Sequence, residues 1–355
     1  MKKHHICFFT GVVSFFIFLI LQLVVRGISN SLDDQNLAKR WNEKGGTAQI
    51  SCFFSNTYQI DEDRISEFEH GLDSYLVENS ITLESTNPGA RLWASCYSAE
   101  GSIELVSQTG RVSADAYGIG GDFFLFHPVP LLNGAYFSGN DVNKDYCVID
   151  EDAAWQLFGS NDVAGMMVTI NGVPHMVTGV IRRPVGSFWE AAGMDSARVY
   201  VSYESLSKYG IGSGINCYEI LMPNAVKDFA YKYVKENLGS NERETEVLQN
   251  TNRLSFVRRV RVMKDFGIRS MNGKSIIYPA WENVARGKED ICILITAFQC
   301  MLLLFSGVLF CILVVYLYRH KTWTMKGLWC RILDMTDRIR AKRYIHQHKK
   351  EEEKL

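Results

Sequence analysis

Two apolar runs bracket this chain, Ile6–Val25 near its start and Ile291–Tyr318 near its end, and neither holds a charged side chain. Each is long enough to cross a hydrocarbon layer ~30 Å thick, which takes about 20 helical residues. Between them lies a polar stretch of mixed pattern, far too long for a connecting loop and large enough to fold. A domain held on one side of a bilayer by two helices is expected. That arrangement argues against a soluble enzyme and against a multi-helix channel.

Lys2 and Lys3 precede the first run, as in a signal peptide. The run exceeds the usual h-region of about 7–15 residues, and Val24-Val25-Arg26-Gly27-Ile28 offers no small-x-small cleavage site. It reads as an uncleaved anchor. Basic residues near membrane ends set orientation. Arg26, Arg286 and Lys288 are diluted by Asp33, Asp34, Glu289 and Asp290, whereas Arg319, Lys321, Lys326, Arg331, Arg338, Arg340, Lys342 and Arg343 crowd the far side of the second run. Both termini are expected in the cytoplasm of a two-pass plasma-membrane protein, with the large domain outside. The expected division is a cytoplasmic N-terminus at 1–5, helices at 6–26 and 291–318, an outer domain at 27–290 and a basic tail at 319–355. A net charge of −1 conceals that basic tail and implies no affinity for nucleic acid.

Within the outer domain, Thr47–Phe54 alternates with period two, as a half-buried strand does. A helix beginning at Asp61 places Ile65, Phe68, Leu72, Tyr75 and Leu76 on one stripe. Arg91–Tyr97 and Ser102–Ser107 read as two strands turning at Gly101. Downstream, Cys217–Met222 is strand-like and Pro223 suits the first turn of a helix carrying Val226, Phe229, Ala230, Tyr233 and Val234. Glu244–Gln249 would be its returning strand. The fold class is therefore α+β: a split β-α-β subdomain, about 46–111 and 215–265, with a β-rich insertion at about 112–214. In the insertion, Asn171-Gly172 between two strands signals a type I′ hairpin. Glu151–Phe158 reads as a short helix ended by Gly159. Ser29–Lys44 reads as a helix continuing out of the membrane.

Gly121-Asp122-Phe123-Phe124, Leu131-Leu132-Asn133-Gly134-Ala135-Tyr136-Phe137 and the run Val148–Gly159 follow one another here, then Asp162–Met166, Ile170-Asn171-Gly172 and Val177–Val180. This ordered series resembles the extracytoplasmic core domain of MacB-type ABC transporter permeases, and the anchor–domain–helix layout agrees. The resemblance implies a split α/β outer part with a β-rich insertion. Permeases of that family have four membrane helices and this chain has two, so a half-permease or accessory subunit is implied. Its partners would be a cytoplasmic ABC ATPase subunit and a second permease chain supplying the missing helices; homo- or hetero-dimerisation is left open.

Site chemistry is sparse. Gly267–Ser275 has five residues between its glycines where a P-loop needs four, and it lies on the side away from ATP. No nucleophile elbow, zinc helix or calcium loop is present, so no enzyme activity, cofactor or metal is expected. Asp61-Glu62-Asp63 and Glu151-Asp152 are explained by helix starts. His127 and His175 lie alone in sequence and read as structural. Cys52, Cys96, Cys147 and Cys217 read as buried free thiols, with two disulfides as the alternative. Arg253, Arg258, Arg259 and Arg261 read as a solvated strand face, with anionic headgroups as the alternative contact.

Two features near the second run carry more. Pro279–Asn283 looks like the start of a helix running through Asp290 into the membrane, which can serve as a stiff rod or simply as a long, tilted anchor. In the tail, Leu328, Ile332, Met335 and Ile339 follow helical spacing near Trp323 and Trp329. Such a segment lies in the lipid interface or packs into a partner's groove. The resemblance places the ATPase contact there. The reading is a membrane component of an ABC transport system that couples ATPase activity to movement of its outer domain. The alternatives are a two-anchor receptor or signalling module for an outside ligand, and, less supported, an extracytoplasmic enzyme.

Overall fold

The computed structural model describes residues 3–43, 45–58, 60–82, 89–239, 241, 243–265, 275–320, 329 and 334–336. Helix α1 (Lys3–Asn30) leads through a 3-10 turn at Asp33–Gln35 into α2 (Leu37–Trp41). Strand β1 (Thr47–Phe54), α3 (Glu62–Glu78) and the long hairpin β2 (Ala94–Val106) and β3 (Arg111–Gly121) follow. The middle holds α4 (Phe123–Phe126), β4 (Leu131–Gly134), β5 (Tyr146–Asp150), α5 (Glu151–Phe158), β6 (Met167–Ile170), β7 (Val173–Ile181), α6 (Ser187–Ala191), β8 (Arg198–Ser202), α7 (Tyr203–Tyr209) and β9 (Ile211–Gly212). Then come β10 (Cys217–Pro223), α8 (Phe229–Asn237), β11 (Thr245–Gln249), α9 (Phe256–Lys264) and α10 (Ala280–Arg319).

These elements divide between two compact units, Leu23–Ala297 and a second that is helical among its described residues and holds the first part of α1, up to Gln22, and the last part of α10, from Phe298. In the helical unit Ser14 Oγ donates to the Leu302 carbonyl at 3.2 Å and Gln299 Nε2 to Gln22 Oε1 at 3.3 Å. Lipid offers such groups no partner, so they pair across the helices.

In the larger unit one sheet runs β11-β1-β10-β2-β3-β8-β5-β7-β4, with β6 paired to β2 and β7, and β9 to β2. Only the β3–β8 and β5–β7 pairs are parallel among the described ladders. Strand β2 is the shared element, because its first half pairs with β10 and its second half with β9 and β6. Three cores result. Helices α3 and α8 cover β1 and β10, burying Ile65, Phe68, Leu72, Leu76, Ala230 and Val234 against Ile50 and Ile220. Helices α5 and α7 bury Ala153, Leu157 and Leu206 against Ile149, Val177 and Val199. The third gathers Leu37, Phe53, Phe123, Phe126, Tyr200, Tyr278 and Trp281.

Local chemistry sets several boundaries as read from sequence. The Asp61 carboxylate caps α3 by accepting from Arg64 N at 2.8 Å, and Asp150 caps α5 through Ala153 N at 2.8 Å. Gly159 ends α5 at φ 70°, and Asn171 and Gly172 take φ 48° and 82° in the β6–β7 turn, the pair of positive angles that a type I′ turn requires.

Four expectations fail. Gly101 is no turn: β2 passes straight through it, and a Cβ there would lie 2.6 Å from the Ile211 carbonyl oxygen, so it is a site of close strand approach. The helix expected over Ser29–Lys44 is broken, ending at Asn30 and resuming at Leu37. Asn36 Nδ2 donates to the Ser29 and Leu32 carbonyls, each at 2.7 Å, and satisfies the broken end. Pro223 closes β10 instead of opening a helix, and Val226 is 68% exposed, off the stripe. The arginine stretch forms helix α9 preceded by a turn, with Arg253 and Arg259 buried.

Candidate functional site

Several buried charged groups meet where the roots of α1 and α10 reach the sheet. After α1 breaks, the 3-10 turn presents Asp34 and Gln35. The Asp34 carboxylate meets His127 Nδ1 at 2.9 Å, and His127 Nε2 is in direct contact with Glu219 Oε2 on β10. His127 and Glu219 are 4% and 1% exposed. The imidazole also packs on Trp281 of α10, ring centroids 4.2 Å apart, and on Phe123 at 4.6 Å. Burial alone would push this histidine down. The Glu219 charge and the hydrogen bonds to Asp34 and Glu219 outweigh it and raise the group to about 9. It is an imidazolium held between two carboxylates.

The chain of contacts continues. Ser51 Oγ on β1 donates to Glu219 Oε1 at 2.5 Å, and Asn250 Nδ2 donates to Ser51 Oγ at 2.7 Å. Three residues on, Arg253 grips Glu282 of α10 in a fork, at 2.7 and 2.8 Å, and reaches Glu289 two turns along at 3.1 Å. Arg253 Nη1 also contacts Gln35 Oε1 at 3.4 Å, which closes the circuit on the residue beside Asp34. Glu282 is wholly buried, and Arg286 Nε donates to it at 2.7 Å while Arg286 Nη2 reaches Glu246 of β11 at 2.7 Å. Val25, Leu32, Leu254, Ala285 and Cys292 pack beside these charges. Breaking one partner of such a buried network leaves its mate uncompensated, so the roots of both helices are held to the sheet and to each other.

Sequence spacing showed no metal motif, yet Cys96, His127 and Glu219 bring donor atoms within 4.8 Å of one another. Two ligands bound at ~2.0–2.1 Å to one tetrahedral ion stand about 3.3 Å apart. The direct His127–Glu219 contact is closer than that, and burial with the Glu219 charge keeps the Cys96 thiol well up. The arrangement present is a proton bridge. His127, alone in the sequence and read as structural, has its partners Asp34 and Glu219 on elements distant along the chain. His175 is buried and contacts Ser205 Oγ at 3.1 Å, a structural role. Cys52, Cys96, Cys147 and Cys217 are free and buried, and burial pushes Cys147 up to about 12.

A cleft of about 460 Å³ opens beside α3, lined by Glu69, Asp73, Arg91, Trp93 and Asp122. Its polar groups already pair within the protein, Arg91 with Asp122 at 2.6 Å and Trp93 Nε1 with Asp73 at 2.7 Å. Of the tail residues singled out in the sequence, Trp329 and Met335 are exposed at 65% and 61%. Trp323, Leu328, Ile332 and Ile339 lie outside the described residues, as does the Gly267–Lys274 part of the glycine-containing segment.

A mixed α/β sheet domain whose two ends run into helices long and apolar enough to cross a membrane is the class that the fold defines. The chain belongs to the family of MacB-like periplasmic core domains, whose profile matches residues 13–228. It is 28% identical over 96 residues to the Macrolide export ATP-binding/permease protein MacB of Chromobacterium violaceum and 31% identical over 75 residues to that of Pasteurella multocida. Those matches take in 26% and 21% of this chain but only 14% and 12% of the relatives. Among solved structures, the periplasmic region of MacB from Actinobacillus actinomycetemcomitans is 21% identical, with 58% of this chain and 90% of that one covered and a TM-score of 0.41. The extracellular domain of the noncanonic ABC-type transporter YknZ from Gram-positive bacteria is 17% identical, covers 56% and 99%, and has a TM-score of 0.37.

Proposed function

We propose that this chain is a membrane component of an ABC transport system, a half-permease or accessory subunit whose outer domain is displaced by ATP hydrolysis on a separate cytoplasmic subunit. The observation that carries the reading is the buried joint in a member of this family. Its charges pair with one another and tie both helix roots to the central strands, which suits holding force better than turning over a substrate. Displacement of α10 would reach β1 and β10 through Arg253, Glu282 and Trp281. Both termini would be cytoplasmic, the tail from Arg319 would bear the ATPase contact, and a second permease chain would complete the membrane part.

Detergent pull-down from native membranes tests this. An ATPase should copurify, and Ile332→Asp with Ile339→Asp should release it while the protein still inserts, because an unpaired buried charge costs several kcal/mol. If the tail only lies on lipid, replacing Arg338, Arg340, Lys342 and Arg343 by Gln frees it from membranes and leaves the ATPase bound. Recovery of no ATPase at all would transfer the reading to the two-anchor receptor.

A further inference from the structure

Two independent markers locate the hydrocarbon boundary in the larger unit. Val25 is the last residue of the first apolar run and Cys292 the second of the other, and both pack in one cluster with Leu254, two residues before α9. Helix α9 is then pinned along α10. Arg259, wholly buried, donates Nε to the Leu254 carbonyl at 3.0 Å and Nη1 to Thr296 Oγ1. Thr296 stands five residues beyond Ile291, ~7.5 Å along a helix rising 1.5 Å per residue. The 28 residues from Ile291 to Tyr318 would extend ~42 Å, about 12 Å more than a hydrocarbon core needs, or about 6 Å at each end. Thr296 therefore falls at the hydrocarbon edge, and α9 beside it lies at headgroup depth.

The outward face of α9 fits that depth. Val257, Arg261 and Lys264 share one side at spacings of four and three residues, and all three are exposed, Val257 at 71%. On the opposite side Arg259 is buried and Val262 and Met263 are half-buried. Arg258 is turned back, donating to the Gln249 carbonyl at 2.6 Å. An exposed apolar side chain followed along the same face by two long cationic stems is what a helix lying in a headgroup layer presents, with the stems reaching out to phosphate. We infer that α9 is an interfacial helix whose Val257–Arg261–Lys264 face binds anionic phospholipid headgroups in the leaflet on the outer-domain side. This follows from the position of α9 and does not depend on any ATPase contact.

The test is photo-crosslinking of the full chain in nanodiscs of mixed phosphatidylcholine and phosphatidylglycerol. A benzophenone amino acid replaces Val257, and in a parallel sample Phe16, which is exposed in the first apolar run, as the control that lipid capture works. Lipid adducts at Val257 are expected, enriched in phosphatidylglycerol over the bulk ratio by about fivefold for each cation engaged. Arg261→Gln with Lys264→Gln should remove the enrichment and keep the adduct. Adducts at Phe16 but none at Val257 overturn the assignment, as does capture of another polypeptide at Val257. Adducts at the bulk lipid ratio overturn the anionic part of it.

Discussion

His127 shows how far neighbours can override burial at a single side chain. Its folded value near 9 stands above its ordinary 6.5, so the folded state holds a proton that the unfolded chain releases at lower pH. The stabilisation is complete below about 6.5 and fades as pH rises through about 9, worth up to about 3 kcal/mol. Chemical denaturation of the full chain at pH 6, 8 and 9.5 should show that decline, and Glu219→Gln should flatten it and lower stability most at pH 6. A slope equal to that of the native protein would refute the proton bridge. Glu100 runs the same way for a different reason: burial raises its carboxyl to about 7, against the favourable Arg198 charge. Its ionisation opposes folding as pH climbs through 7, so Glu100→Gln should stabilise the protein at pH 8 and leave it unchanged near pH 4.

At the scale of elements, the start of α10 is held by buried charge pairs as well as by the apolar burial of Trp281, Val284 and Ala285. Arg253→Met would take the guanidinium from Glu289 and the fork from Glu282, which keeps only its contact with Arg286 among the described ion pairs, and with both carboxylates buried it should destabilise by about 3–5 kcal/mol. Adding Glu282→Gln and Glu289→Gln should recover much of the loss, which separates stranded charge from lost packing; a triple variant no better than the single one would contradict this account. The end of β3 is constrained by contact instead. A Cβ on Gly139 would lie 2.4 Å from Gly120 Cα and 2.5 Å from Gly121 N, backbone atoms that cannot swing aside. Gly139→Ala should lower stability by about 1–3 kcal/mol, read as a fall in the denaturation midpoint.

For the whole molecule, the outer domain does not stop where its strands stop. A fragment from Thr47 to Lys264 holds every described strand yet omits Asp34, Leu37, Tyr278, Trp281 and Glu282, which line the third core or pair with its charges. A fragment from Ser31 to Glu289 retains them. The longer one should melt cooperatively, and the shorter one should melt lower and more broadly. Equal midpoints by circular dichroism would mean that the helix roots add nothing to the domain. In the proposed machine that dependence has a use, because a domain completed by its own anchors responds to any shift of them.

Much of this was legible in order along the chain. The two apolar runs, the alternation of Thr47–Phe54, the stripe of α3, its Asp61 cap and the Asn171-Gly172 turn all arise from interactions between residues a few places apart, which leave periodic marks in sequence. Proximity across the fold leaves none. His127 and Glu219 are 92 residues apart, Arg253 and Glu289 are 36, and Ser51 and Asn250 are 199. Arg253, Arg258, Arg259 and Arg261 looked like a solvated face because charge is usually exposed, and no local pattern announces two buried carboxylates waiting on another helix. Sequence alone marked the two runs long and apolar enough to cross a membrane and most of the strands and helices between them, but not the break after α1, the end of β10 at Pro223 or the helix made by the arginine stretch. Only the tertiary structure decided that the roots of those crossings end inside the sheet, since desolvation and pairing of charge depend on what surrounds a group in space.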